Sequence, residues 1–164
     1  MVYHQTQKPW TQEYTVGGTA VYERILVPLD GSELAELALP FAEELAARSG
    51  SEITLLCVGE SAETEDYAKH EIYLEQIAAV TKHAAEKRLD RPEGVINVRS
   101  TVSVGHPAQE IVDYAERENI SLIIMATHGR TGVGRWALGS VAEKVMRAGT
   151  TPVLLVRVPG ASTA

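Results

Sequence analysis

One cysteine, a deficit of basic residues and short apolar runs mark this 164-residue sequence, and each shortage removes a class of protein. The lone Cys57 excludes an intrachain disulfide. It lies in the apolar run "ITLLCV", where a buried reduced thiol serves as a small hydrophobe and not as a nucleophile or ligand, which suits a reducing compartment. Fifteen Lys and Arg against twenty-two Asp and Glu give a net charge of −7. That leaves no broad cationic surface for a nucleic-acid backbone, although Arg130 and Arg135 remain available to a small anion. The first residues, "MVYHQTQKPWTQEYTVGGTA", hold no unbroken apolar region of signal-peptide length, and no segment approaches the roughly 20 apolar residues of a membrane span. The cytoplasm is the expected location.

Several catalytic signatures are missing too. There is no G-x-x-x-x-G-K-[ST], no G-x-G-x-x-G after the first strand and no G-x-S-x-G, so a P-loop, a dinucleotide fingerprint and a nucleophile elbow are all excluded. No catalytic residue and no carboxylate pair placed for acid/base work can be identified. His4, His70, His83 and His106 are scattered without ligand spacing and read as surface or cap residues. His128 stands apart, inside a glycine-rich stretch.

What is present is one domain's worth of alternating pattern: short apolar runs, then longer segments of helical period, as in a parallel sheet covered on both faces. "RILVPL" (24–29) is the first strand. Ser32 with Glu33 and Glu36 starts a helix whose apolar face is Leu34, Leu37, Ala38, Phe41 and Leu45 and which Gly50 closes. Pro40 lies well inside it, lacks an N–H and crowds the Glu36 carbonyl, so a kink is expected. "EITLLCV" (52–58) is the second strand, followed by a polar loop and a helix from about Tyr67 to Leu89 that buries Leu74, Ile77, Ala78, Thr81, Ala84 and Ala85. "VINVRSTVSV" (95–104) alternates like an edge strand. Gly105, His106 and Pro107 turn into a helix with Ala108, Ile111, Val112 and Ala115 on its buried stripe. "SLIIMA" (121–126) is apolar throughout and therefore central; "SVAEKVMRAG" (140–149) is a short helix and "TPVLLVRV" (151–158) the last strand. Tyr3, Trp10 and Tyr14 stand among polar neighbours in the first twenty residues, which fit no element and read as an irregular arm.

The unusual residues fall after strands, where ligands settle in a doubly wound sheet. "MATHGRTGVGRWALGS" (125–140) sets Gly129, Gly132, Gly134 and Gly139 beside Arg130 and Arg135. Ser140 opens the last helix, whose unpaired N–H groups and dipole offer an anion site, and Gly129 and Gly139 would let a phosphate approach the main chain. Plainer readings stand beside this. Ser140 to Glu143 has capping-box spacing, Asp30 is an ordinary turn or cap residue, and Trp136 with Leu138 would anchor the loop to the body or contact a partner. The loop either holds a phosphate or only connects.

"RILVPLDGSELAELALPFAEELA", the G-x-P turn at Gly105 and "SLIIMATHGRTGVGRWALGSVAEKVMRAGTTPVLLVR" resemble the universal stress protein family from about Arg24 to Arg157. Nucleotide-binding members of that family carry a glycine, two residues, a second glycine, nine residues, then glycine and serine or threonine. Gly129, Gly139 and Ser140 fit, while Ala126 stands where the leading glycine belongs. The expected architecture is α/β: one Rossmann-like, doubly wound, five-stranded parallel sheet of order 3-2-1-4-5 with helices on both faces. An arm over 1–22, the domain over 23–158 and a tail over 159–164 make up the chain. The resemblance implies an ATP site, with Pro28, Leu29 and Asp30 lining the nucleoside pocket and the main chain of Val58 meeting adenine. Met125 and Ala126 would flank base and ribose, and Gly129, Arg130, Gly139, Ser140 and Val141 would hold the phosphates with a divalent ion such as Mg²⁺. It also implies a homodimer in which the last strand, Val153 to Val156, pairs with its copy. That strand is an uncharged apolar edge in need of cover. The expected function is an ATP-binding, dimeric regulatory or sensing module of a stress response. The alternatives are a stress protein that binds no nucleotide and works through a protein partner, and a slow ATPase or phosphotransferase using the same pocket.

Overall fold

Along β1 (Arg24–Leu29), Ile25, Val27 and Leu29 face one way and Leu26 the other, and both sets are buried. A strand buried on both faces must sit inside a sheet with a layer on each side. The computed structural model, which describes residues 22–63, 65–89, 94–127 and 138–157, shows that arrangement. β2 (Glu52–Gly59), β3 (Val98–Val104), β4 (Leu122–Ala126) and β5 (Val153–Val156) join β1 in one parallel sheet of order β3-β2-β1-β4-β5. The expected fold and strand order are the observed ones.

Three helices, α1 (Glu33–Glu36), α2 (Leu39–Ser49) and α3 (Glu65–Lys87), cover the face carrying Ile25, Val27, Ile53 and Leu55. The other face, with Leu26, Leu56, Ile123 and Met125, is covered by α4 (Pro107–Arg117) and α5 (Ser140–Ala148). β4 is buried along its whole length, and β3 is an edge strand with a half-exposed pattern, both as the sequence implies. β3 starts at Val98, three residues later than the alternation suggests. Gly50, in the left-handed region, ends α2.

Pro40 interrupts the first helix, and the expected kink takes the form of a tighter turn. The N–H groups of Leu37 and Ala38 donate to the carbonyls of Leu34 and Ala35, a tighter turn, and α2 restarts with Pro40 in its first turn, where the missing N–H removes no bond. The buried residues keep one helical phase through this turn, on the face next to the stripe read from the sequence. Ala35, Ala38, Leu39, Ala42 and Ala46 are buried, whereas Leu37 and Phe41, which the sequence assigns to the core, are exposed. Small residues on the buried face let α2 lie close to the sheet. α2 is fixed to the end of α3 by Glu43, whose nearly buried carboxylate meets the Arg88 guanidinium at 2.7 Å.

Inside α3, Thr81 is fully buried and its Oγ1 has no hydrogen-bond partner among the described residues. A buried hydroxyl without a partner keeps its desolvation cost. Thr81→Val, which exchanges that hydroxyl for a methyl of nearly the same shape, should raise stability by about 1 kcal/mol in urea denaturation. A loss of stability of similar size would show that the hydroxyl is paired.

Candidate functional site

β1 and β4 are in register only at Ile25↔Leu122 and Leu26↔Ile123. The strand order reverses here, since the chain leaves β1 toward β2 and later returns to the other side as β4. Pro28, which follows the last register pair on β1, has no N–H to offer the next rung of that ladder. β4 continues instead along β5 to Ala126↔Val156, and the Thr127 N–H donates to the Val156 carbonyl at 2.9 Å. A cleft of about 300 Å³ opens at the carboxyl ends of β1 and β4, at the lower end of the range of roughly 300–1,000 Å³ for small-ligand pockets.

Its apolar walls are Pro28, Leu29, Leu56, Val58, Ile111 and Met125. One rim is the turn after β1. Asp30 Oδ1 accepts from the Ser32 N–H at 3.0 Å and from the Ser32 hydroxyl at 2.6 Å, and Ser32 Oγ in turn accepts the Ala35 N–H at 3.2 Å. Asp30 therefore orients the residue that caps α1, and Ala35 from that helix lines the cleft. A second rim is the turn from β3 to α4. Gly105, at φ +148°, donates its N–H to the Gly59 carbonyl and sets Pro107 at the cleft wall as the first residue of α4.

The third rim is the start of α5. The Gly139 N–H donates to the Thr127 carbonyl at 2.8 Å, which ties the returning chain to the end of β4. Gly139 is the N-cap residue and makes no side-chain cap, and the first helical bond runs from the Glu143 N–H to the Gly139 carbonyl at 2.9 Å. Ser140, Val141 and Ala142 form the first turn, so their N–H groups have no acceptor within the helix, and all three residues line the cleft. The capping box expected at Ser140 is not formed, because the helix starts at Ser140 itself and Glu143 falls one position too late. Asp30 is the one titratable side chain among the described lining residues. No group of three or more His, Cys, Asp or Glu among the described residues could hold a metal ion unaided.

Pro28, Leu29, Asp30, Val58, Met125, Ala126, Gly139, Ser140 and Val141 are thus brought together around one cleft. Gly129, Arg130, Trp136 and residues 1–21 of the arm lie outside the described residues. Leu138 packs against the α4/α5 core, as an anchor should. The sequence reading missed Ala35, Leu56, Pro107, Ile111, Thr127 and Ala142. Pro107 and Thr127 were within reach, since each directly follows a turn or strand end already singled out. His70 also differs from its surface assignment: its Nδ1 is buried beside Gly59 with no hydrogen-bond partner among the described residues, whereas His83 and His106 are exposed.

Residues 21–157 match the universal stress protein family. Universal stress protein MJ0531 of Methanocaldococcus jannaschii is 31% identical over 147 residues, covering 87% of this chain and 86% of the relative. The solved structure of MJ0577, the subject of a structure-based assignment of biochemical function, superposes with a TM-score of 0.64 at 33% identity, covering 86% of this chain and 99% of that one. A universal stress protein solved in complex with cAMP shares the fold at a TM-score of 0.64 and 23% identity, covering 84% of this chain and 98% of its own.

The cap that shapes the first rim is open to a direct test. Ser32→Ala removes the acceptor for the Ala35 N–H and the hydroxyl that donates to Asp30, and should lower stability by about 1 kcal/mol in urea denaturation. An unchanged midpoint would mean that α1 does not depend on its cap.

Proposed function

The chain belongs to the universal stress protein family, and on that premise we propose that it is an ATP-binding module that acts as a homodimer in regulation or sensing of a stress response. One observation carries the nucleotide reading: Ser140, Val141 and Ala142, whose N–H groups have no acceptor within α5, line a cleft with largely apolar walls. Oriented amides and the positive end of a helix dipole attract phosphate, while apolar walls suit a purine. In this reading Pro28, Leu29 and Asp30 flank the nucleoside and the Val58 main chain meets the base. Met125 and Ala126 border the ribose, and Gly139, Ser140 and Val141 receive the phosphates, joined by Gly129 and Arg130. A divalent ion such as Mg²⁺ would neutralise phosphate charge and arrive with the nucleotide. Binding, not turnover, is the proposed role, with Asp30 Oδ1 orienting Ser32 in the cleft rim.

Ala126 supports a second reading, a module that binds no nucleotide, since its methyl stands where the family's binding pattern has glycine. It is 7% exposed at the cleft. Mass spectrometry of the purified protein separates the two: a co-purifying adenine nucleotide supports the first reading, and none, together with no binding at millimolar ATP, supports the second. The proposed domain covers 23–158, between the arm and the tail, and the buried reduced thiol of Cys57 fits the cytoplasm. Among the described residues no helix is long and apolar enough to cross a membrane.

The dimer is proposed to form through β5. This strand lies at the sheet margin and carries only Val and Leu. Phe41, exposed on α2, lines a groove with Leu154 of that strand. Such an edge invites pairing with a second copy.

Ser140→Asp should weaken ATP binding at least about tenfold in calorimetry, because a carboxylate then competes for the phosphate position. The same change should leave stability equal or higher, since an acid in the first turn favours the helix. Unchanged affinity would move phosphate away from α5. Leu155→Lys should shift the protein toward monomer in sedimentation at low micromolar concentration, and a variant still wholly dimeric would place the seam elsewhere.

A further inference from the structure

α1 is one turn long, and Ala35, which lines the cleft, is its only buried residue. A single turn is the costly part of any helix and does not persist unaided. It runs into α2 through the tighter turn at Leu37 and Ala38, whose N–H groups donate to the Leu34 and Ala35 carbonyls. The cap from Asp30 and Ser32 holds its start. Its other end is held from α3, where the Tyr73 hydroxyl donates to Glu36 Oε1 at 2.9 Å. The Tyr73 ring is packed against the Ile25/Val27 core cluster, so the donor is fixed in place. Burial first, and then the hydrogen bond to Glu36, raise this phenol well above the usual tyrosine range, so it keeps its proton. Cap and clamp are joined as well, since the Glu36 N–H donates to the Ser32 carbonyl at 3.3 Å.

We infer that Tyr73 is a positioning residue for the nucleoside end of the cleft: its bond to Glu36 pins α1, and so holds Ala35 and the Asp30–Ser32 turn in the cleft wall. The inference rests on the nucleotide reading for its effect on binding, and on the geometry alone for its effect on α1. No residue of α3 lines the cleft among the described residues, so Tyr73 acts only through Glu36.

Tyr73→Phe keeps the ring and removes the donor, whereas Glu36→Gln keeps an amide oxygen that still accepts. In Tyr73→Phe, amide hydrogen exchange at Ala35 and Glu36 should accelerate about tenfold while Val27 and Leu55 stay as in the parent. ATP and adenosine affinities, measured by calorimetry, should both fall about threefold to tenfold, the worth of one hydrogen bond. Glu36→Gln should stay within about twofold of the parent in both measurements. A purely structural tyrosine would lower the melting temperature without selective exchange at α1. That result, or unchanged ATP affinity in Tyr73→Phe beside a parent that binds ATP, overturns the inference. A parent that binds neither ATP nor adenosine overturns the nucleotide reading instead, and the exchange comparison still decides the clamp.

Discussion

The hydrogen-bonded ladder between β1 and β4 ends after two register pairs, at the point where the strand order reverses, and the site is built on that edge of the sheet. Pro28 brings no N–H to a further rung, while β4 stays paired with β5 to its end. The chain that leaves β4 at Thr127 returns at Gly139 to the same residue's carbonyl, so α5 starts beside the end of β4. The strand order places three helix starts around one opening, from the turns after β1, β3 and β4.

The chemistry offered there is mostly main chain. Amides of Ser140, Val141 and Ala142 supply direction, and apolar side chains supply a dry wall in which such amides act strongly. Side chains shape the main chain more than they face a ligand: Asp30 orients Ser32, Ser32 caps α1, and Tyr73 holds Glu36. A site of this kind tolerates side-chain change but not a shift of backbone. That is why Ala126, a single methyl at a position of close approach, weighs on the choice between a nucleotide binder and a nucleotide-free module.

Much of this was legible in the sequence where one physical rule acted alone. The uninterrupted apolar run of β4, the alternation of β3 and the stripe at Ile111, Val112 and Ala115 each reflect one periodicity and one burial pattern. The reading slipped where two rules met. Leu34, Leu37, Phe41 and Leu45 form an apolar stripe, but the face that packs is the adjacent one of Ala35, Ala38, Leu39, Ala42 and Ala46, whose small residues a hydrophobicity pattern underrates; Leu37 and Phe41 are exposed, and Phe41 lines a groove with Leu154 of the edge strand. Ser140 has capping-box spacing, yet Gly139 takes the cap because its N–H is needed by Thr127. The clamp between Tyr73 and Glu36 joins residues 37 apart in sequence, and no local pattern announces it. Cleft residues such as Leu56 and Ile111 read only as core, which they also are.

The central claim is that phosphate of an adenine nucleotide rests on the α5 first turn. Titrating the isotopically labelled protein with ATP and Mg²⁺ while following the backbone amide resonances tests it most directly. The account predicts large downfield shifts at Ser140, Val141 and Ala142, with smaller ones at Asp30 and Val58. Amide signals at Ser140 to Ala142 that do not move at millimolar ATP would contradict it.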